Sequence, residues 1–440
     1  MKAKWLPLAA GVALAAGSVS ASAVDFHGYA RAGVAASMSG GEVYCSGNGL
    51  LGHRAGRLGD ECDAYAELTL SQDLYNKNNT KFDIHTLVAY GTPEGTVDRQ
   101  GNSWQGIGGN DPWGGQRMSI REIWSGYTPA EGYTIWAGNR YYQRKDIHIM
   151  DFYYLNNSGY GTGIENIDVG AGTASFAVIK TATSNGNWRN VYKLDARWNG
   201  IPVGFGTLDA AVIYGLPSVV YKQYGPDANA HHKDSGVLMS LDHASNVNGD
   251  AFSLMNHLIF QWGTNGFAHD VGTFGNHAGQ NYNPNNDQQG VRLIDWGTLD
   301  MGNFGLGYSI LWAHLSSGNK FNNAWYSKND DDGDGRPDNR GSGWEYSIVL
   351  RPEYKWSEYT RTTLELGLSQ QSGIIGSNDD PEVHKITLAQ QFTPGKGFWT
   401  RPAIRFYASY QGGDQFEYKA NNKKHHNFQY VLGSQVEAWW

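Results

Sequence analysis

The last thirteen residues, FQYVLGSQVEAWW (428–440), decide how the rest of the chain is read. One parity carries Phe428, Tyr430, Leu432, Val436, Ala438 and Trp440, and the other carries Gln429, Val431, Gln435, Glu437 and Trp439. Side chains of a strand alternate between two faces, so this segment has a greasy face and a wet one. The pattern recurs upstream. VDFHGYARAGVAA (24–36) sets Phe26, Gly28, Ala30, Ala32 and Val34 against Asp25, His27, Tyr29 and Arg31. ECDAYAELTL (61–70) sets Ala64, Ala66, Leu68 and Leu70 against Glu61, Asp63, Tyr65, Glu67 and Thr69. TTLELGL (362–368) and AIRFYASY (403–410) repeat it.

Many such segments, separated by loops rich in Gly, Asn and Asp, read as an antiparallel sheet of many strands. A soluble sandwich would bury the apolar parity against a second sheet. A membrane barrel would turn that parity to lipid and keep the polar parity in a wet lumen. Three features favour the barrel. The apolar parity is rich in Leu and small residues, with aromatics near the segment ends, as interfacial girdles require. The polar parity mixes Arg and Glu with rings. Long connections alternate with short ones, the longest irregular stretches being 91–115, 223–235, 275–289 and 327–343. At about 20–25 residues per strand and connection, the chain accommodates roughly 16 to 20 strands.

The chain opens MKAKWLPLAAGVALAAGSVSASA, with Lys2 and Lys4 before a short apolar run and Ala21-Ser22-Ala23 as a cleavage site. This reads as a secretory signal peptide over 1–23, followed by one barrel domain over 24–440. Cys45 and Cys62 then sit in an oxidising compartment, where a disulfide is the expected state. A formal charge of −8 argues against a nucleic-acid partner. No nucleophile–base constellation is visible, so the chain does not read as an enzyme. The paired histidines His231, His232 and His425, His426 read as solvated loop residues, without the converging ligands a metal needs.

The wet faces carry rings (Tyr29, Tyr65, Trp439) beside charges (Arg31, Glu67, Glu437). A pyranose has C–H faces that lie on aromatic rings and hydroxyls that bond to charged groups, so such a row reads as a sugar path. YYQRKDIHIMDFYY (141–154) follows a strand-like YTIWAGNR, and its charges break the alternation. Folded back into a barrel, it would present Arg144, Asp146, Asp151 and Tyr153 at the narrowest point and set what passes.

These residues resemble the maltoporin family of sugar-specific outer-membrane porins. The likeness lies in VDFHGYAR (24–31), RLGDEC and DAYAEL (57–68), TIWAGNRYYQRKDIHIMDFYY (134–154), ENIDVG (165–170), RPEYKW (351–356), KITLAQQF (385–392), WTRPAIRFYASY (399–410) and the terminal AWW (438–440). The stretch from about 171 to 344 matches only in general pattern. The resemblance implies an eighteen-stranded barrel in a Gram-negative outer membrane, trimeric, with a slide of aromatics flanked by an ionic track. Carried onto this chain, the slide comprises Tyr29, Tyr65, Trp356 and Trp439. The track comprises Arg31, Arg57, Glu67, Arg121, Arg144, Asp146 and Asp151, with Tyr153 as the constriction tyrosine. Trp113, in preference to Trp104, takes the place of a loop tryptophan that reaches a neighbouring subunit. Met239 stands, on a loose match, where the family has a slide phenylalanine. Cys45 and Cys62 match the family's disulfide in the first external loop. The implied cargo is maltose and maltodextrins, with no cofactor required. Another oligosaccharide, such as sucrose or a β-glucoside, is the nearest alternative. A secreted glycoside hydrolase or a surface lectin is the alternative of another class.

One motif stands apart from the family. DDDGDGRPD places Asp330, Asp332, Asp334 and Asp338 in a D-x-D-x-D-G-x-x-D pattern with Gly335 at the sharp turn. Carboxylates so spaced suit a structural calcium ion, although Gly341 at the usual last position supplies no ligand. A calcium-ordered loop and a plain acidic loop both remain open readings.

Overall fold

The structure is a computed structural model. It describes residues 24–38, 43, 45, 52–61, 64–91, 117–180, 191–217, 235–275, 278–280, 282, 288–316, 342–372, 381–413, 419–420, 423–424 and 428–440. Eighteen strands hydrogen-bond in chain order to form one antiparallel barrel. The first strand (Asp25–Ser37) closes it, pairing with the second (Tyr65–Lys77) from Asp25↔Ser71 to Arg31↔Tyr65. Its other edge pairs with the last strand (Phe428–Trp439) from Tyr29↔Trp439 to Ser37↔Val431. Closure gives every strand two neighbours, which a sheet crossing lipid requires because no water is there to satisfy an open edge.

The alternation read from the sequence is the alternation of the wall. Phe26, Val34, Leu68, Leu70, Ile386, Leu388, Phe406 and Leu432 are exposed on the outside. Arg31, Lys193, Asp195, Arg292, Glu365, Lys385 and Glu437 are buried inside. Charged residues within and apolar residues without are the inverse of a soluble sandwich. Short turns lie at one end, such as Asn78–Asn79 with φ of 52° and 59°, a two-residue reversal that asparagine tolerates. The long connections lie at the other end. No helix among the described residues is long and apolar enough to cross a membrane, which says nothing of strands.

Three of the long connections fold inward. In the first, Lys385 donates to the carbonyls of Gly56 and Leu58, and Glu365 accepts from the Leu58 amide at 2.9 Å. Gly367 lets this loop lie flush on the wall, because a Cβ there would run into the carbonyl of Ala55. The second connection is the segment 141–158. It makes a small hairpin of Lys145–Ile147 and Phe152–Leu155. Its Ile147, Ile149, Met150, Phe152 and Leu155 pack against wall residues Ile213, Leu238, Ile259, Ile294, Leu311 and Val349. The third carries a five-residue helix, Ala268–Gly272, whose Val271 joins the same cluster with Phe267 and Phe274. Fully buried Arg292 ties the second and third together. It donates to the carbonyls of Tyr154 at 2.9 Å, Asp270 at 3.1 Å, Thr273 at 3.3 Å and Gly275 at 3.3 Å.

The lumen therefore holds an apolar core of its own on one side, beside the wet path that the polar parity implied. Part of the stretch 275–289, read as a loop, lies in this core, with Ala278 and Tyr282 buried.

Glu365 pairs with Arg351 and, at 2.9 Å, with Lys385 while holding the first inward loop. Glu365→Ala would strand two buried cations, a change that costs about 3–5 kcal/mol. The expected result is a lower unfolding temperature of the detergent-solubilised protein and protease cleavage within 52–61.

Candidate functional site

The closing seam assembles the site. Register sets Tyr29 beside Trp439, and Arg31 between Tyr65 and Glu437. Strand parity then turns all five into the lumen. The Tyr29 and Tyr65 rings lie 6.2 Å apart. His148, at the tip of the inward hairpin, approaches Tyr29 at 6.3 Å, Trp439 at 5.1 Å and Trp399 at 5.8 Å, edge-on in each case. Phe398 follows Trp399 at 4.8 Å. The result is a row of rings running from Tyr65 down the seam to the turn that carries Phe398 and Trp399.

Charges flank the row. Arg31 reaches Glu61 at 3.0 Å and Asp151 at 3.3 Å. Arg57 bonds to Glu61 through Nε at 2.8 Å and donates to the Tyr29 hydroxyl at 2.6 Å. Tyr29 in turn donates to Glu437 at 3.1 Å. Glu437 also meets His148 Nε2 at 2.9 Å, Arg401 at 2.8 Å and Arg405 at 2.7 Å. The Arg144 guanidinium sits 3.9 Å from the Tyr141 ring and 4.3 Å from Tyr153, and Arg401 covers Trp439 at 4.2 Å. A flat cation on a ring keeps both fixed without consuming its in-plane donors. Tyr65 donates to Glu67. Arg121 is the extra residue of a bulge, since Glu122 and Ile120 pair with the consecutive Leu87 and Val88. The bulge turns Arg121 to the same side as Glu122, which accepts the Tyr141 amide from the inward loop.

Burial and neighbours set the protonation of the inward-loop groups. Asp151 turns the hairpin in a left-handed conformation, φ 50°. Burial pushes its carboxyl up, but Arg57 and Arg31 outweigh that and hold it well below the usual carboxylate range. Asp146 goes the other way: burial raises it, and His148 and Arg144 recover only part. Burial, then the nearby Arg57, pushes the His148 imidazole below its ordinary value, against the bond to Glu437.

The structure brings together Tyr29, Tyr65, Trp439, Arg31, Arg57, Glu67, Arg121, Arg144, Asp146, Asp151 and Tyr153. Two expected slide residues lie elsewhere. Met239 shares parity with Val237 and Leu241 on the outer face, while its neighbours Leu238 and Ser240 are buried inside. Trp356 is 65% exposed at the rim of a short turn, stacked edge-on to the outward Tyr354. Its indole bonds to Thr362 at 2.8 Å. Trp399 and Phe398 occupy the inward place instead. They sit in the turn 393–402, where alternation assigns no face, though Trp399 lies inside one of the stretches quoted above. Trp113, Cys62 and Asp330, Asp332, Asp334 and Asp338 lie outside the described residues. Cys45 is buried.

The chemistry available here is recognition. Acceptors and donors are already paired, so a neutral polyol can exchange into the network without leaving a bare charge, while its C–H faces meet the rings.

Comparison with known proteins bears on the family and the fold. A family model described as LamB porin matches residues 24–440. A protein named maltoporin from Hahella chejuensis is 34% identical over 449 residues, covering 99% of this chain and 98% of that protein. Among solved structures, a BenF-like porin from Pseudomonas fluorescens matches with a TM-score of 0.52 at 10% identity, covering 95% of this chain and 98% of that one. The outer membrane protein opdK from Pseudomonas aeruginosa matches at 0.51 and 8% identity, covering 95% and 99%. At such identities these two show the fold alone.

Asp151→Asn tests the charge of the constriction separately from its shape, because asparagine tolerates the left-handed turn. The hairpin is expected to keep its fold while Arg31 and Arg57 lose one counter-charge. The reversal potential in a salt gradient should then shift toward anions.

Proposed function

This chain belongs to the LamB porin family, outer-membrane channels rather than enzymes, and from that premise we propose that it passes linear maltodextrins by facilitated diffusion. The ring row through Tyr65, Tyr29, Trp439 and Trp399 is the observation that carries the reading. A sugar entering beside Tyr65 keeps one face on an aromatic at each step. Its hydroxyls meet Glu67, Arg31, Asp151, Arg57 and Glu437 in turn. No single contact is strong, so the sugar is released as readily as it is bound, as a channel requires.

The same reading makes Val24 the first residue of a single mature barrel domain and joins Cys45 to Cys62 in a disulfide. It gives Trp113 to a neighbouring subunit of a homotrimer; independently of it, calcium at Asp330, Asp332, Asp334 and Asp338 would order that loop if it binds.

Ion conductance through the purified protein in a planar bilayer, titrated with maltotriose, sucrose and cellobiose, tests the proposal. Saturable block by maltotriose is expected, weakened about tenfold by Trp439→Ala or Trp399→Ala, the scale of one aromatic stacking contact. Block by sucrose or cellobiose alone would assign the channel another cargo. Conductance that no sugar blocks would make it a general pore.

A further inference from the structure

Outside the seam, the lumen holds a second ring pair that the sequence reading did not single out. His257 (in Ser253–Thr264) and Trp296 (in Gln289–Met301) are register partners, and their rings stack at 4.7 Å with an interplanar angle of 10°. Parity places both inside, below Ile259 and Ile294, which the inward hairpin covers. Their strands lie well around the wall from the last strand, the strand of Trp296 being six away.

The pair has a polar rim built partly by the constriction. His257 Nδ1 lies 2.9 Å from Asp242 Oδ1. Asp242 Oδ2 takes Lys145 at 3.0 Å and the Tyr154 hydroxyl at 2.9 Å, both from the inward loop. Lys145 continues to Asp209 at 2.6 Å. Among the described residues, Trp296 Nε1 is buried with no acceptor. Ser309, the register partner of Trp296 on the next strand, carries a hydroxyl in the same state. Buried polar atoms are rarely left unmet, so these two groups suit a buried water behind the ring face.

The pair also continues the established row. Phe398 occupies the space left by Gly307, two residues from Ser309. Trp399, Phe398 and Trp296 all pack against the same apolar cluster. The rings therefore run from the seam, across the turn-side mouth, to the wall bearing His257.

We propose that Trp296 and His257 form an exit-side subsite for a pyranose unit, reached by an oligosaccharide whose other units still occupy the seam. The sugar face lies on the indole, and its hydroxyls bond to Lys145 and Asp209, the partly exposed members of the rim. This rests on the maltodextrin reading, and it predicts a dependence on chain length that the seam alone does not.

The test is bilayer conductance with maltotriose and maltohexaose against the native protein, Trp296→Leu and Trp296→Phe. Leucine keeps apolar contact with the cluster but removes the indole face and its N–H, and phenylalanine restores a face. Trp356→Leu, on the outer rim, is the control. Maltohexaose block is expected to weaken roughly threefold to tenfold in Trp296→Leu, with partial recovery in Trp296→Phe and a smaller change for maltotriose. Equal block of the native protein and Trp296→Leu by both sugars would overturn the subsite and leave the maltodextrin reading standing. Equal weakening for both sugars would overturn it too, as a loss of general lumen shape. Absence of block in the native protein would remove both proposals together.

Discussion

The carboxylate of Glu437 is the point on which the channel's interior depends. It sits on the last strand and gathers Tyr29 from the first strand, His148 from the inward hairpin, Arg401 from a short turn and Arg405 from the neighbouring strand. Arg57 of the first inward loop lies 3.4 Å away. Four regions of the chain, around residues 29, 57, 148 and 401–405, are thus fixed by one acidic group. A buried carboxylate is costly unless it is paired and hydrogen-bonded, and here both oxygens are fully engaged. Removing it would expose several cations to one another, so the arrangement is held by mutual need rather than by any single strong bond.

The same logic makes a lumen so rich in charge compatible with the uncharged cargo proposed above. Arg31, Arg57, Arg401 and Arg405 each face a carboxylate, and Arg144 lies between two tyrosine rings. Fixed pairs present alternating donors and acceptors without a large uncompensated field. Rings tied by cations keep their faces oriented toward the path. The apolar core under the hairpin, clamped by Arg292, provides the stiffness: a constriction that wandered by an ångström would not discriminate.

Much of this was legible in the chain. Alternation located the lipid and lumen faces of Tyr29, Tyr65, Arg31 and Glu437, because a barrel wall imposes a period of two along every strand. The charged run 141–154 stood out because it breaks that period. Where the period lapses, the reading lost its footing. Trp356 and Trp399 both lie in short turns; the outward parity of Trp344, Ile348 and Leu350, carried on to Trp356, would have placed it outside, while no such run fixes Trp399. Met239 was placed by a loose match, while its own parity with Val237 and Leu241 already pointed outward. Trp296 and His257 are ordinary lumen positions until register sets them face to face.

By itself, the amino-acid sequence determined that this protein is a many-stranded barrel, which parity faces lipid, and which residue types line the lumen. These follow from local chemistry repeated along the chain. Only the tertiary structure decided which rings meet, which carboxylate gathers the arginines, and which loops fill the lumen. Those outcomes depend on register across the seam and on loops returning over hundreds of residues, as when Lys385 grips Gly56 or Arg54 pairs with Glu345. Contacts of that kind are set by closure of the barrel, and a linear pattern carries no record of which strand will stand beside which.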